Sequence, residues 1–108
     1  MVQRLVAFVS PRTPLEEVMV GIWSEVLGLE RIGIHDNFFD LGENPLLIIR
    51  VLSRVRQIFQ VALPFRCLFE YPTIAELSPV LIAHETKSGQ TKKFAYFAKM
   101  IEEVSDAA

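Results

Sequence analysis

Two tetrapeptides constrain the fold of this chain more than anything else in it: Thr13-Pro14-Leu15-Glu16 and Thr73-Ile74-Ala75-Glu76. Each is a capping box, in which a threonine hydroxyl takes the N–H of the glutamate three residues on, so each marks the first turn of a helix. Pro14 strengthens the first start, because a missing N–H costs nothing at the first helical position. Behind it Leu15, Val18, Met19, Ile22, Trp23, Val26 and Leu27 recur at helical spacing until Gly28 supplies a left-handed stop, which predicts a helix over 14–27. Behind the second box Ile74, Leu77, Val80 and Leu81 share one side, with Pro79 expected to kink that helix or to bring in a new start.

Between these anchors Asn44-Pro45 predicts another helix, Asn44 as cap and Pro45 at the first position, continuing through Ile48, Val51, Leu52, Val55, Ile58 and Phe59. Its apolar stripe is wider than one core face needs. Leu46, Leu47 and Ile49 spill onto neighbouring faces, either as extra core contacts or as a partner surface. The run from Gly28 to Asn44 has no sustained periodicity, yet it holds Leu29, Ile32, Ile34, Phe38, Phe39 and Leu41, so it is expected to be a packed loop. Ordered loops of that length often carry function. Pro64 to Phe69 suits one short helical turn, and residues 1–11 read as a strand or extended arm. Glu85 to Thr91 has linker composition, after which Phe94, Phe97, Ile101 and Val104 mark an amphipathic helix over about 92–104. Its lysines come first and Glu102 and Glu103 last, against the helix dipole, so it is expected to dock Phe94, Phe97 and Ile101 on the bundle or on a neighbouring copy. The sum is an all-α four-helix bundle with three long helices, a short third one, a long structured first loop and a C-terminal amphipathic helix. The corresponding parts are an arm at 1–11, a domain at 12–84, a linker at 85–91 and a tail at 92–108.

Composition agrees and excludes several functions. At 108 residues, 51% of them apolar and 22% charged, one core is expected. A net charge of −2 gives no pull toward nucleic acid, and no stretch nears the roughly 18 apolar residues of a membrane span. One cysteine and two separated histidines make no metal signature, and the five glycines make no phosphate loop. With Cys67 alone and an N-terminus too soon broken by Pro11 for a secretory signal, the expected setting is the cytoplasm. A nucleophilic enzyme would have to pair Cys67 with His35 or His84, whereas Cys67 sits in an apolar turn. A non-catalytic domain is therefore expected.

Several spaced motifs carry a resemblance. Arg12-Thr13-Pro14-Leu15-Glu16-Glu17, Ile22-Trp23, Leu27-Gly28, His35-Asp36-Asn37-Phe38-Phe39-Asp40-Leu41-Gly42 and Phe69-Glu70-Tyr71-Pro72-Thr73-Ile74-Ala75-Glu76-Leu77 together resemble, over about residues 10–84, the peptidyl carrier (thiolation) domains of nonribosomal peptide synthetases. The resemblance implies a four-helix carrier fold, adenylation, condensation or tailoring domains as partners, and a phosphopantetheine arm on a serine that opens the second long helix. In that signature Leu-Gly-Gly is followed by His or Asp and then Ser. Here Leu41 and Gly42 match, Glu43 stands for the second Gly, Asn44 for the His or Asp, and Pro45 for the Ser. The attachment hydroxyl is absent, so no cofactor is expected on this chain, and Ser53 lies outside the signature. The implied attachment region is Gly42, Asn44 and Pro45, and the implied partner surface is Leu46, Ile49 and Arg50. Between Pro45 and Arg66 stand Arg50, Arg54, Arg56 and Arg66 with no acid, which resembles the peptide-synthetase branch rather than fatty-acid carriers. Those arginines read equally as a solvated face or as a docking surface. The alternative to a carrier is a pseudo-carrier that spaces or recruits neighbouring proteins.

Overall fold

A computed structural model describes residues 7–42 and 44–107, with side chains through residue 104. Its elements are all helical: α1 (Pro14–Leu27), α2 (Phe38–Leu41), α3 (Leu47–Phe59), α4 (Cys67–Glu70), α5 (Ile74–Ala83) and α6 (Gln90–Ala107). Both capping boxes form. Thr13 Oγ1 accepts from Glu16 N–H at 3.1 Å and Thr73 Oγ1 from Glu76 N–H at 3.2 Å, which starts α1 and α5 where the sequence places them. Gly28 closes α1 at φ 68°, its N–H donating to Ser24 C=O. α5 runs unbroken through Pro79 to Ala83, so no new helix starts there. α3 ends on Gln60, a left-handed residue at φ 60°, whose N–H donates to Arg56 C=O.

The core is built where these helices face one another. Trp23 of α1 and Phe38 of α2 meet edge to face with centroids 5.0 Å apart, and both are fully buried together with Met19, Ile48, Val51, Phe59, Leu68, Ile74 and Leu77. Burying a large apolar side chain contributes roughly 1.5–3 kcal/mol, so this cluster is the main favourable contribution to folding.

The first connection is packed, and it also contains a helix that periodicity did not show. α2 is only four residues long; Asn37 Oδ1 accepts from Phe39 N–H at 2.8 Å to cap it. Its placement rests on partners remote in sequence: Phe38 N–H donates to Pro72 C=O at 2.8 Å, and Ala75 N–H to Ile34 C=O at 2.9 Å. The buried Asp36 accepts from Gly33 N–H at 2.8 Å. The N-terminal arm joins the same loop through Ile34 N–H to Val9 C=O at 2.9 Å; residues 1–6 of that arm lie outside the described residues.

α6 packs on α1, α3 and α5, but with a different face from the one expected. Thr91 and Ala95 are fully buried and Phe94 is half-buried, whereas Phe97 and Ile101 are exposed at 43% and 67%. The small side chains let α6 approach the bundle closely, so the large ones are left outside. The segment before α6 is ordered as well. The Glu85 carboxylate accepts from Gly89 N–H and Thr91 N–H, each at 2.8 Å, and Gln90 Nε2 donates to Phe59 C=O at 2.9 Å. α6 therefore begins at Gln90, inside the predicted linker.

Candidate functional site

The predicted site lies at the junction of α2 and α3. Leu41 is buried and anchors the junction to the core, and Gly42 follows at φ −129°, ordinary extended backbone, with its N–H on Phe38 C=O at 3.1 Å. A Cβ there would stand 2.7 Å from Leu27 Cδ2, the movable end of a side chain, so a larger residue would require Leu27 to shift. Glu43 lies outside the described residues.

Asn44 and Pro45 are exposed and open a tight turn ahead of α3. Asn44 Oδ1 accepts from Leu46 N–H at 2.9 Å, a turn ahead of the helix; the capping position of α3 is Leu46, which has no side-chain cap bond, so Asn44 is not the helix cap that the sequence predicts. Successive N–H groups then reach back three residues: Leu47 to Asn44 C=O, Ile48 to Pro45 C=O and Ile49 to Leu46 C=O, each at 3.1 Å. Because the opening uses these shorter bonds, the α-helix proper starts at Leu47 rather than at Pro45. Pro45 needs no N–H partner in this turn, which is why the sequence tolerates it.

From this opening α3 divides its apolar residues between two tasks. Ile48 is fully buried and Leu47 half-buried, resolving Leu47 as a core contact. Leu46 and Ile49 are exposed at 65% and 55%, and Arg50 stands beside them, exposed. Further along, Arg54 reaches Glu25 of α1 at 3.3 Å and Arg66 pairs with Glu70 at 3.7 Å, both exposed pairs of small energetic weight. The sequence reading missed an aromatic cluster next to the site. Phe39 of α2 stacks on Phe69 of α4 with centroids 5.1 Å apart, and Phe65 adjoins Phe69 at 5.4 Å; all three are exposed. Phe39 lies far in sequence from the turn that holds Phe65 and Phe69, which hides the cluster from any periodicity test.

The chemical groups near the site are few. Ser53 is exposed on α3, about 12 Å along the helix from Pro45 at 1.5 Å per residue. Cys67 is buried, and burial pushes its thiol pKa up, opposite to the shift an activated nucleophile requires. His35 and His84 are exposed, and His84 Nδ1 lies 2.9 Å from Val80 C=O. Among the described residues no group of three or more His, Cys, Asp or Glu is placed to hold a metal, and no helix is long and apolar enough to cross a membrane. Pro45, exposed ahead of α3, has no side-chain heteroatom on which a phosphodiester could form, and the adjacent Asn44 amide oxygen is engaged by Leu46 N–H.

Comparison with known proteins places this geometry. The family model described as "Phosphopantetheine attachment site" matches residues 17–81, from α1 to α5. One linear gramicidin synthase from Brevibacillus parabrevis is 50% identical over 74 residues, which is 68% of this chain and 1% of that protein. Malpinin synthetase of Mortierella alpina is 49% identical over 73 residues, again 68% of this chain and 1% of its own length. The chain thus spans a small part of the curated relatives it matches. Among solved structures, the peptidyl carrier protein in complex with the phosphopantetheine transferase Sfp and coenzyme A is 38% identical, covers 70% of this chain and 99% of its own, and superposes with a TM-score of 0.68. A non-covalent extended docking domain complex of the Pax synthetase, PaxA T1-CDD/PaxB NDD, is 27% identical with a TM-score of 0.69, and covers 98% of this chain and 97% of its own.

Proposed function

The chain belongs to the phosphopantetheine attachment site family as a domain of the peptidyl carrier type, and we propose that it serves in a nonribosomal peptide synthetase without carrying an arm. One observation supports this reading: Pro45, which the carrier signature aligns with the attachment serine, is exposed just ahead of α3, and the Asn44 side chain accepts from Leu46 N–H across it. An arm is joined to its carrier by a phosphodiester formed at a hydroxyl, and proline offers none. The domain is non-catalytic, works at residues 12–84, and presents Leu46, Ile49 and Arg50 to adenylation, condensation or tailoring domains. The exposure of those three side chains at the start of α3 supports this surface. A cytoplasmic setting fits the single free cysteine, buried in the bundle.

The experiment is intact-mass analysis after incubation with coenzyme A and a broad-specificity phosphopantetheinyl transferase. The expected result is an unchanged mass. One phosphopantetheine increment on any residue would overturn the reading and locate a displaced attachment site. The spacer or recruiting module raised from the sequence is not favoured, since the matched relatives are peptide synthetases and the solved neighbours are carriers.

A further inference from the structure

Residues 7–12 form neither helix nor strand, yet they are fastened at both ends. At the front, Arg31 Cζ lies 3.8 Å from the Phe8 ring centroid, and Val9 C=O accepts from Ile34 N–H at 2.9 Å. At the back, Arg12 N–H donates to Glu16 Oε1 of α1 at 2.8 Å and the Arg12 guanidinium to Glu16 Oε2 at 2.9 Å. Gly33 is buried where this segment crosses the first connection, and its φ lies outside the left-handed region, so what it supplies is space. A Cβ there would stand 3.1 Å from Phe8 Cδ2 and 3.2 Å from both Val9 N and Val9 O. Two of those atoms are backbone, so the segment itself would have to move. Beneath it, the fully buried Ile34 also binds α5: its C=O accepts from Ala75 N–H at 2.9 Å, a first-turn donor with no partner inside its own helix. A turn follows, with Gly33 N–H on Asp36 Oδ2 at 2.8 Å and Asp36 N–H on Gly33 C=O at 3.2 Å. That turn delivers the chain to Phe38, whose N–H donates to Pro72 C=O at 2.8 Å and whose C=O accepts from Gly42 N–H at 3.1 Å.

We propose that residues 7–12 are a strap, which positions the first connection, α2 and Gly42, and whose release loosens the junction ahead of Pro45 while the bundle stays folded. Burial separates the two units. The core is supplied by α1, α3 and α5, with Met19, Trp23, Ile48, Val51, Phe59 and Leu77 all fully buried, whereas Phe8 is 36% exposed and Ala7, Ser10 and Arg12 are exposed. Segments with so little burial open at free energies below that of global unfolding. The Phe38 ring stays packed on Trp23, so release frays the backbone bonds around α2 without expelling it. The strap thereby couples two places on the domain: a neighbouring domain that engages residues 7–12 acts on the junction beside Pro45 without touching it.

Hydrogen exchange followed amide by amide on the full chain tests this. Phe8→Ala and Gly33→Ala are each expected to speed exchange at Ile34, Ala75, Phe38 and Gly42 by about tenfold or more, and to leave the α3 amides from Val51 to Val55 within about twofold of the native chain. Phe8→Tyr keeps a ring for Arg31 and is expected to exchange as the native chain does. Both destabilising substitutions lift the same strap, so the double variant Phe8→Ala/Gly33→Ala is expected to exceed the stronger single variant by less than about threefold. Faster exchange confined to Ile34 overturns the proposal, because the segment would then hold nothing beyond its own bond. An equal rise in α3 also overturns it, since residues 7–12 would then belong to the global core. So do an unchanged Ile34 in both single variants, a Phe8→Tyr chain that exchanges like Phe8→Ala, and effects that multiply in the double variant.

Discussion

Restoring the arm is expected to take more than restoring a serine. Pro45→Ser supplies the hydroxyl on an exposed residue whose C=O still accepts from Ile48 N–H, and Asn44 Oδ1 still accepts from Leu46 N–H. The folded state loses only the preset φ of proline, about 0.4–1 kcal/mol, which lowers the melting temperature of a domain of this size by a few degrees. Modification is a separate matter. On the signature's alignment Glu43 takes the place of a glycine two residues before Pro45, so we expect its carboxylate to come near the coenzyme A diphosphate during transfer. A carboxylate about 7 Å from one diphosphate charge, in a medium of ε about 40, adds roughly 1 kcal/mol of repulsion, a factor of about five to ten in rate. Arm transfer is therefore expected to be slow in Pro45→Ser and several-fold to tenfold faster in Pro45→Ser/Glu43→Gly, with the gap narrowing as salt is raised. Initial rates from mass spectrometry measure both. Equal rates refute the electrostatic role of Glu43. A double variant that is never modified refutes the premise that Leu46 and Ile49 still present a working docking surface.

Two further expectations concern the bundle itself. Gly21→Ala, exposed in mid-α1 with nothing within 4 Å of the new Cβ, is expected to stabilise by about 0.5–1 kcal/mol, whereas Gly28→Ala at φ 68° is expected to cost about 1 kcal/mol; urea unfolding of the pair distinguishes them. The Glu16 carboxylate accepts from Arg12 N–H at 2.8 Å and from its guanidinium at 2.9 Å, and the Arg12 bonds hold its pKa below the ordinary 4.5. A depressed carboxyl pKa stabilises above the unfolded value and loses that contribution as pH falls through the folded one, so Glu16→Gln is expected to flatten the loss of stability below pH 4.5, read by urea midpoints against pH.

What the sequence made legible was local. A capping box needs only a threonine and an N–H three residues away, so Thr13 and Thr73 marked two helix starts, and Gly28 marked a stop. The elements that depend on distant partners were hidden. α2 is too short for a periodicity and is held by Pro72 through the Phe38 N–H, while the Phe39, Phe65 and Phe69 cluster exists only after α2 meets the turn around α4. The tail shows a different failure. Periodicity found the helix, and hydrophobicity ranking then assigned the wrong side to the bundle, because Phe97 and Ile101 are more apolar than Thr91 and Ala95. Close approach decided the matter: a helix that packs on α1 and α3 at short range must put its small side chains there. Within the site, the Asn44-Pro45 pair marked a turn ahead of α3 but put the helix start two residues early, and the division of Leu46, Leu47 and Ile49 between core and surface was hidden, since all three are equivalent in hydrophobicity.

Fold and attachment chemistry are separable in this domain because they use different atoms. The core is formed by Trp23, Phe38, Ile48, Phe59 and their buried neighbours, and the junction is held by the buried Leu41 and by the bond from Leu46 N–H to Asn44 Oδ1. The side chain at position 45 is exposed and enters none of these interactions; only its backbone C=O is used, by Ile48 N–H. Proline preserves that carbonyl and lacks only an N–H that the opening turn does not use. An attachment residue exposed enough for a transferase to reach is, for the same reason, one that folding does not test. The proposed docking surface beside it turns Leu46, Ile49 and Arg50 outward. A domain that keeps such a surface without the hydroxyl retains the means to be recognised while losing the means to be loaded, so in a binding assay the native and Pro45→Ser chains should dock an adenylation domain alike. A difference between them of more than about threefold would mean that the residue at position 45 itself enters the interface.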